Sequence, residues 1–180
     1  TVIDFNDYEN KRGRVRVRDK HIYIDDNDGR EMLDAMSGRW CCRLGYRQPE
    51  INEAVQAKIQ KLPYYNNLFQ CSNTPAVVLA EKLVQMTPKQ FTHVFFTNSG
   101  SEANDTNIRL IRRYWDTKKQ PKKRIILART NAYHGSTIAS ASLGGFEFVH
   151  NQFETLPYVQ HITDPNWYHN GGDLTSDEFG

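Results

Sequence analysis

Cysteine is scarce in this sequence. Three occur among 180 residues, the adjacent pair Cys41 and Cys42 and a distant Cys71. An odd number without framework spacing excludes a disulfide-stapled scaffold and points to a reducing compartment. No metal-type spacing joins these cysteines to the six histidines, so no metal site is expected. An excess of one charge sign is missing as well, since 23 basic residues face 21 acidic ones. Apart from "RVRVR" and "KKQPKKR" the basic residues are dispersed, which leaves no electrostatic footprint for a nucleic acid. Both runs read as solvated strand and loop positions. No apolar stretch reaches membrane-spanning length, and "TVIDFNDYEN" has neither a charged n-region nor an apolar h-region, so neither a membrane segment nor a secretory signal is read. The cytoplasm is the expected location, with the mitochondrial matrix as the alternative after removal of a targeting peptide. Internal repeats and low-complexity segments are absent too. The length suits one ordinary domain with its own core, or part of a larger chain.

From Arg14 to Asp25, "RVRVRDKHIYID" alternates apolar and polar residues around an expected turn at Asp19 and Lys20, and "DDNDG" supplies a second turn. Such alternation predicts a small antiparallel unit. "PEINEAVQAKIQKL" opens with Pro49 in a helix-compatible position and repeats Ile51, Val55, Ile59 and Leu62, while "TPAVVLAEKLVQM" sets Thr74 as a cap before Pro75. These two predicted helices bracket the aromatic loop "PYYNNLFQCSN". Further on, His93 to Thr97 predicts a short buried strand, and a helix from Glu102 carries Ile108, Ile111 and Trp115 on one face with Arg112 and Arg113 solvated on the other. "KKRIILAR" predicts a second strand, "TNAYHGSTIASASLGG" is a small-residue stretch, "VQHI" predicts a third strand, and "NGGDLTSDEFG" reads as a turn entering a helix. Strand, helix, strand, helix, strand is the order of an α/β fold with a mainly parallel, doubly wound sheet, whose ligands gather beyond the carboxyl ends of the strands. The expected division is residues 1–48 with the antiparallel unit, 49–73 as helix and aromatic loop, and 74–180 as the first part of the large domain.

Two strand-end loops carry the chemistry. In "TNSGSE", Gly100 between Ser99 and Ser101 starts a helix, where unpaired N–H groups and the positive end of the macrodipole make a cup for an anion, a phosphate above all. The same residues suit ordinary capping, with Ser99 or Ser101 closing the first turn and Glu102 or Asp105 meeting the dipole. In "TNAYHGS", Tyr133 and His134 offer an aromatic face and an imidazole to a flat ring. Trp40 in "SGRWCCRLGY" and Tyr64, Tyr65 and Phe69 in the aromatic loop fit a wall for an apolar substrate part. Packing at a domain interface accounts for those loop aromatics equally well.

"FFTNSGSEANDTNIRLIRRYWD", "NAYHGSTIASASLGG", "SGRWCCRLGY" and "KLPYYNNLF" resemble consecutive blocks of the class III aminotransferases of the omega-amino acid:pyruvate type. Those enzymes use pyridoxal 5'-phosphate on fold type I, and the resemblance runs from about Arg14 to Gly180. It implies that Ser99, Gly100 and Ser101 hold the cofactor phosphate, that Tyr133 stacks on the pyridine ring with His134 beside it, and that Trp40 walls the substrate pocket. It further implies a homodimer in which loop 64–72, around Leu68 and Phe69, reaches the partner subunit's site. Three positions depart from the family's usual pattern: Arg39 replaces a leucine, Arg47 ends a common Gly-Tyr-Gly, and Leu68 stands where phenylalanine is frequent. An Arg39 guanidinium facing the pocket would favour donors that carry a carboxylate; otherwise its stem lies on the surface.

The family's reaction needs a lysine that joins the cofactor and moves a proton, and a carboxylate paired with the pyridine nitrogen. Lys11 and Lys20 belong to the polar N-terminal unit, Lys58, Lys61 and Lys82 to polar helix positions, Lys89 to a turn, and Lys118, Lys119, Lys122 and Lys123 to one hydrophilic loop. None reads as buried at a strand end. Asp164 follows an apolar strand, but with Pro165 it resembles a segment ahead of the family's aspartate. No catalytic residue is therefore assigned, and both groups are expected beyond Gly180. The expectation is the N-terminal part of a transferase that moves an amino group from an omega-amino acid or amine to pyruvate or a related keto acid, with residues 1–180 inactive by themselves. The alternatives are another class III enzyme, an aminomutase or decarboxylase, and a catalytically silent fragment that binds a phosphorylated ligand or a partner subunit.

Overall fold

The computed structural model describes residues 15–179, so Lys11 and Arg14 lie outside the described residues. The alternating segment forms three antiparallel strands in chain order, β1 (Arg16–Lys20), β2 (Tyr23–Asp26) and β3 (Glu31–Leu33). Its first turn falls at His21 and Ile22, not at Asp19 and Lys20, because those two residues still pair with Ile24 and Tyr23. His21 supplies the positive φ, 58°, that suits a two-residue hairpin loop. The second turn is organised by Asp26, only 1% exposed. Its Oδ1 accepts from the N–H of Arg30 at 2.9 Å and of Asp28 at 3.0 Å. The Arg30 bond is the main reason that its carboxyl is held below the usual carboxylate range.

Helix α1 (Pro49–Lys61) begins at the proline, as its spacing predicts. Helix α2 (Thr74–Met86) is capped one residue earlier than expected, by Asn73, whose Oδ1 accepts from the Ala76 N–H at 3.2 Å. Thr74 and Pro75 then fill the first turn, where the missing N–H of proline is not required. On α1, Ile51, Val55 and Ile59 form an apolar stripe that remains about half exposed.

Arg47 lies at φ 55°, and its Nε pairs with Asp19 Oδ1 at 2.7 Å. A left-handed conformation costs a non-glycine residue roughly 1–2 kcal/mol, but Asp19 Oδ1 is a buried atom with no hydrogen bond beyond this ion pair, and leaving such an oxygen unpaired costs about 1–3 kcal/mol. Arg47→Gly is therefore expected to lower stability by up to about 2 kcal/mol in denaturant unfolding of the full-length gene product. A raised midpoint would show that the backbone strain outweighs the ion pair.

The chain divides into two compact units between Glu81 and Lys82. The second holds α3 (Gly100–Thr117), β4 (Ile126–Arg129), α4 (Ile138–Leu143), α5 (Glu147–His150), β5 (Val159–Ile162), α6 (Trp167–Asn170) and α7 (Ser176–Phe179). Strands β4 and β5 pair in parallel from Ile126↔Val159 to Arg129↔Ile162. The predicted strand at His93–Thr97 is absent: no described strand pairs with it to form a ladder, and Phe95 is exposed. Helix α4 packs on α3 and on both strands. Its small residues permit this close approach, for Ser140, Ala141 and Ser142 are all buried, as are Ile108 on α3 and Ala128 on β4. Ser142 Oγ donates to the Ile138 carbonyl at 2.7 Å and accepts from the Leu156 N–H at 3.0 Å, which satisfies the buried hydroxyl. Arg112 is not simply solvated. It is half-buried, with its guanidinium 3.7 Å from the centroid of the Tyr158 ring, a residue that precedes β5.

Candidate functional site

At the start of α3 the backbone of Ser99 is extended, with φ −155° and ψ 159°. Ser99 Oγ accepts from the Glu102 N–H at 3.2 Å, and Glu102 Oε2 accepts in return from the Asn98 N–H at 2.8 Å. This reciprocal box is the capping alternative, realised. It consumes only one helical N–H. Those of Gly100 and Ser101 meet no acceptor among the described residues, and a Cβ built on Gly100 would meet nothing within 4 Å. Capping and an anion cup are thus compatible: Ser99 closes the turn, and two donors remain at the positive end of an 18-residue helix.

The loop that follows β4 is laced onto the first two turns of α3. Ser101 Oγ accepts from the Ser136 N–H at 3.1 Å, and Asn104 Nδ2 donates to the His134 carbonyl at 2.8 Å. Asp105 Oδ1 accepts from Thr137 Oγ1 at 2.8 Å and from Ser140 Oγ at 3.3 Å, and Ser140 Oγ also lies 3.0 Å from the Ser101 carbonyl. Gly135, at φ 133°, makes the approach possible. A Cβ there would run into Ser101 Oγ and lie 2.8 Å from Ser140 Cβ. Ser99, Gly100, Ser101, Tyr133 and His134 are consequently held in one neighbourhood. Tyr133 is 66% exposed, its hydroxyl 3.2 Å from Ser136 Oγ, so its ring stands available beside the helix start.

Sequence reasoning missed the residues that do the lacing: Asn104, Gly135, Ser136, Thr137 and Ser140, and Asp105 as more than a dipole partner. Ser101 and Asp105, four apart, share a helix face, which is the one local signal they carry. Asp164, the strand-end carboxylate, is engaged elsewhere. It accepts from Asn131 Nδ2 and Asn170 Nδ2, and its N–H donates to Thr130 Oγ1 at 3.1 Å, tying the ends of β4 and β5 together. The Asn131 amide is the main cause that keeps its carboxyl below the usual range.

In the first unit, Trp40 is 75% exposed and lines a shallow hollow of about 190 Å³ with Ala35, Met36, Ser37 and Arg43. Arg39 is exposed and does not line that hollow, whereas Arg43 does. Ser37, Gly38, Arg39 and Trp40 all have positive φ, from 50° to 75°, and the Trp40 N–H donates to the Met36 carbonyl at 2.9 Å, closing a turn of left-handed sense. Such a turn costs roughly 1–2 kcal/mol for each residue other than glycine. Loop 64–72 presents Leu68 and Phe69 to solvent, Phe69 at 90% exposure and φ 53°. Asn66 Oδ1 accepts from the Leu68 N–H at 2.9 Å and helps to brace this loop from within. Every described lysine is exposed except Lys58, half-buried on α1, and none is hydrogen-bonded into the cradle. Among the described residues no helix is long and apolar enough to cross a membrane.

The family model described as aminotransferase class-III matches residues 6–173. A putrescine–pyruvate aminotransferase of Pseudomonas aeruginosa is 44% identical over 178 residues, which cover 98% of this chain and 39% of that protein. A mitochondrial gamma-aminobutyrate transaminase 1 of Oryza sativa subsp. indica is 38% identical over 169 residues, 92% of this chain and 33% of its own length. The crystal structure of an omega transaminase from Pseudomonas jessenii in complex with PMP matches with a TM-score of 0.91 at 32% identity, covering 99% of this chain and 41% of that one. The chain therefore spans only 33–41% of these proteins.

Proposed function

The chain belongs to the class III aminotransferases, and on that premise we propose that it is the N-terminal part of an enzyme that moves an amino group from an omega-amino acid or amine to pyruvate or a related keto acid. Pyridoxal 5'-phosphate is the cofactor in this reading. When bound, it supplies the electron-withdrawing ring that carries the amino group between donor and acceptor. The observation that carries the reading is the corner at Ser99–Ser101, where two helical N–H groups stay unpaired after the cap has formed, with open space at Gly100. Those donors hold the phosphate, Tyr133 lies against the ring and His134 lies beside it; Trp40, in the first unit, is read separately as a wall for the substrate, as the family resemblance implies.

A homodimer fits the loop 64–72, whose Leu68 and Phe69 stand clear of their own unit and are suited to a second copy's site. The three free cysteines fit a cytosolic location. Residues 1–180 alone are inactive in this reading, because no described lysine is placed to join the cofactor.

The test uses the full-length gene product that carries this chain. With pyruvate and putrescine, 4-aminobutyrate or 1-phenylethylamine as donor, alanine is expected to form with at least one of them. Tyr133→Ala should weaken cofactor binding about 2- to 10-fold, as loss of a stacking contact of roughly 0.5–1.5 kcal/mol implies. A protein that binds the cofactor yet makes no alanine from any donor would favour an aminomutase or decarboxylase. Failure to bind the cofactor would overturn the reading altogether.

A further inference from the structure

The loop that carries Trp40 leaves β3 at Asp34 and returns at Tyr46. Both ends are tied by backbone bonds to the β1–β2 turn: the Asp34 N–H donates to the Ile22 carbonyl at 2.9 Å and the Tyr46 N–H to the His21 carbonyl at 2.7 Å. Between these anchors, Ser37, Arg39 and Trp40 hold positive φ, a conformation that their side chains resist. The indole itself makes no hydrogen bond among the described residues, so the turn that carries it sets where it is anchored. One carboxylate oxygen spans the turn. Asp34 Oδ2 accepts from the Gly38 N–H at 2.7 Å, in the middle of the left-handed stretch, and from the Tyr46 hydroxyl at 2.6 Å, at its far end. Both are short, charge-assisted bonds. The phenol is also packed against the turn, since a Cβ on Gly38 would lie 3.2 Å from Tyr46 Oη and 3.2 Å from Cys42 Sγ.

Resting on the reading of Trp40 as a wall of the substrate space, we propose that Asp34 and Tyr46 are positioning residues for substrate specificity, clamping the left-handed turn that sets where the Trp40 indole stands. Neither touches substrate; both act through Trp40. The Tyr46 hydroxyl and the Gly38 N–H hold the Asp34 carboxyl below its usual range, and Asp34, followed by burial and with a smaller effect from Cys42, pushes the Tyr46 phenol up to about 12. Because the folded state favours the protonated phenol, this contribution is complete below the ordinary tyrosine range near pH 10 and is lost as pH rises through about 12.

The test compares kcat/KM for 1-phenylethylamine and for putrescine in the full-length holoenzyme, with Tyr46→Phe and Asp34→Asn made in the native and the Trp40→Ala backgrounds. Each variant is expected to change the ratio of the two constants at least threefold beside Trp40, and to leave it unchanged when residue 40 is alanine. A variant that merely loosens the fold lowers both constants together, leaves the ratio alone and overturns the clamp. So does a ratio that moves equally in both backgrounds. If Trp40→Ala by itself leaves the ratio unmoved, the pocket-wall reading fails; if Trp40→Ala moves it while Tyr46→Phe does not, only the clamp fails. Should Tyr46→Phe not fold, Gly38→Ala, which presses a methyl toward the same hydroxyl, is expected to shift the ratio likewise, and an unmoved ratio would overturn the proposal. Phenolate absorbance adds a readout independent of turnover: one tyrosine titrating near 12 should return toward the ordinary range in Asp34→Asn, and no change there would overturn the bond on which the clamp rests.

Discussion

Gly135→Ala is expected to weaken cofactor binding by about 30-fold or more in the full-length gene product. The residue sits at φ 133°, where an L side chain is strained, and its new methyl would be driven into Ser101 Oγ while standing 2.8 Å from Ser140 Cβ. Ser140 is fully buried and bonded to both Ser101 and Asp105, so it has no room to retreat. Backbone strain and overpacking each cost about 1–3 kcal/mol, roughly 2–6 kcal/mol together, and the lower figure already corresponds to about 30-fold. The loop relieves the clash by lifting from α3, breaking the bonds from Ser136 and Thr137 and carrying Tyr133 with it. Dialysis against pyridoxal 5'-phosphate measures the loss. Adding Ser101→Gly to the same chain removes the clashing hydroxyl and should restore part of the affinity. Native affinity in Gly135→Ala would mean that the lacing of loop to helix has no bearing on the cofactor.

Ser101→Asp separates the phosphate reading from the fold. An aspartate in the first turn of a helix suits the macrodipole, but it adds bulk beside Gly135 and a like charge four residues before Asp105, so some stability is lost and the size-matched Ser101→Asn serves as the control. The cofactor fares differently. A carboxylate at roughly 4 Å from a phosphate, at an effective dielectric near 20, is repelled by about 4 kcal/mol before relaxation. Affinity should accordingly fall by about two to three orders of magnitude in Ser101→Asp, and by far less in Ser101→Asn, which carries the same bulk without the charge. Equilibrium dialysis that returned native affinity would exclude a phosphate from this corner, whatever the family does elsewhere.

The start of α3 shows how much of the site could be read along the chain. Ser99, Gly100, Ser101 and Glu102 announce a capped helix start within four residues, and the structure forms that cap. What the local pattern left open was whether capping excludes an anion; it does not, because the box uses the Glu102 N–H and spares those of Gly100 and Ser101. The expected strand at His93–Thr97 is the opposite case. Its apolar run is plain, but a strand is a relation between two segments, and none of the described strands pairs with it.

Helix periods, the Pro49 start, the hairpin alternation, the strand at "VQHI" and the order of the family's blocks were determined by the sequence itself, because each rests on residues a few positions apart. The tertiary structure alone decided that Asp105 would accept from Thr137 and Ser140, more than 30 residues further on, that Gly135 would be the point of contact, that Arg112 would leave solvent for the Tyr158 ring, and that Trp40 would ride on a left-handed turn held by Asp34 and Tyr46. Capping and periodicity are satisfied within one or two turns of chain. Which distant hydroxyl satisfies a carboxylate, and which strained φ is tolerated, depends on surfaces that come together only when the elements pack.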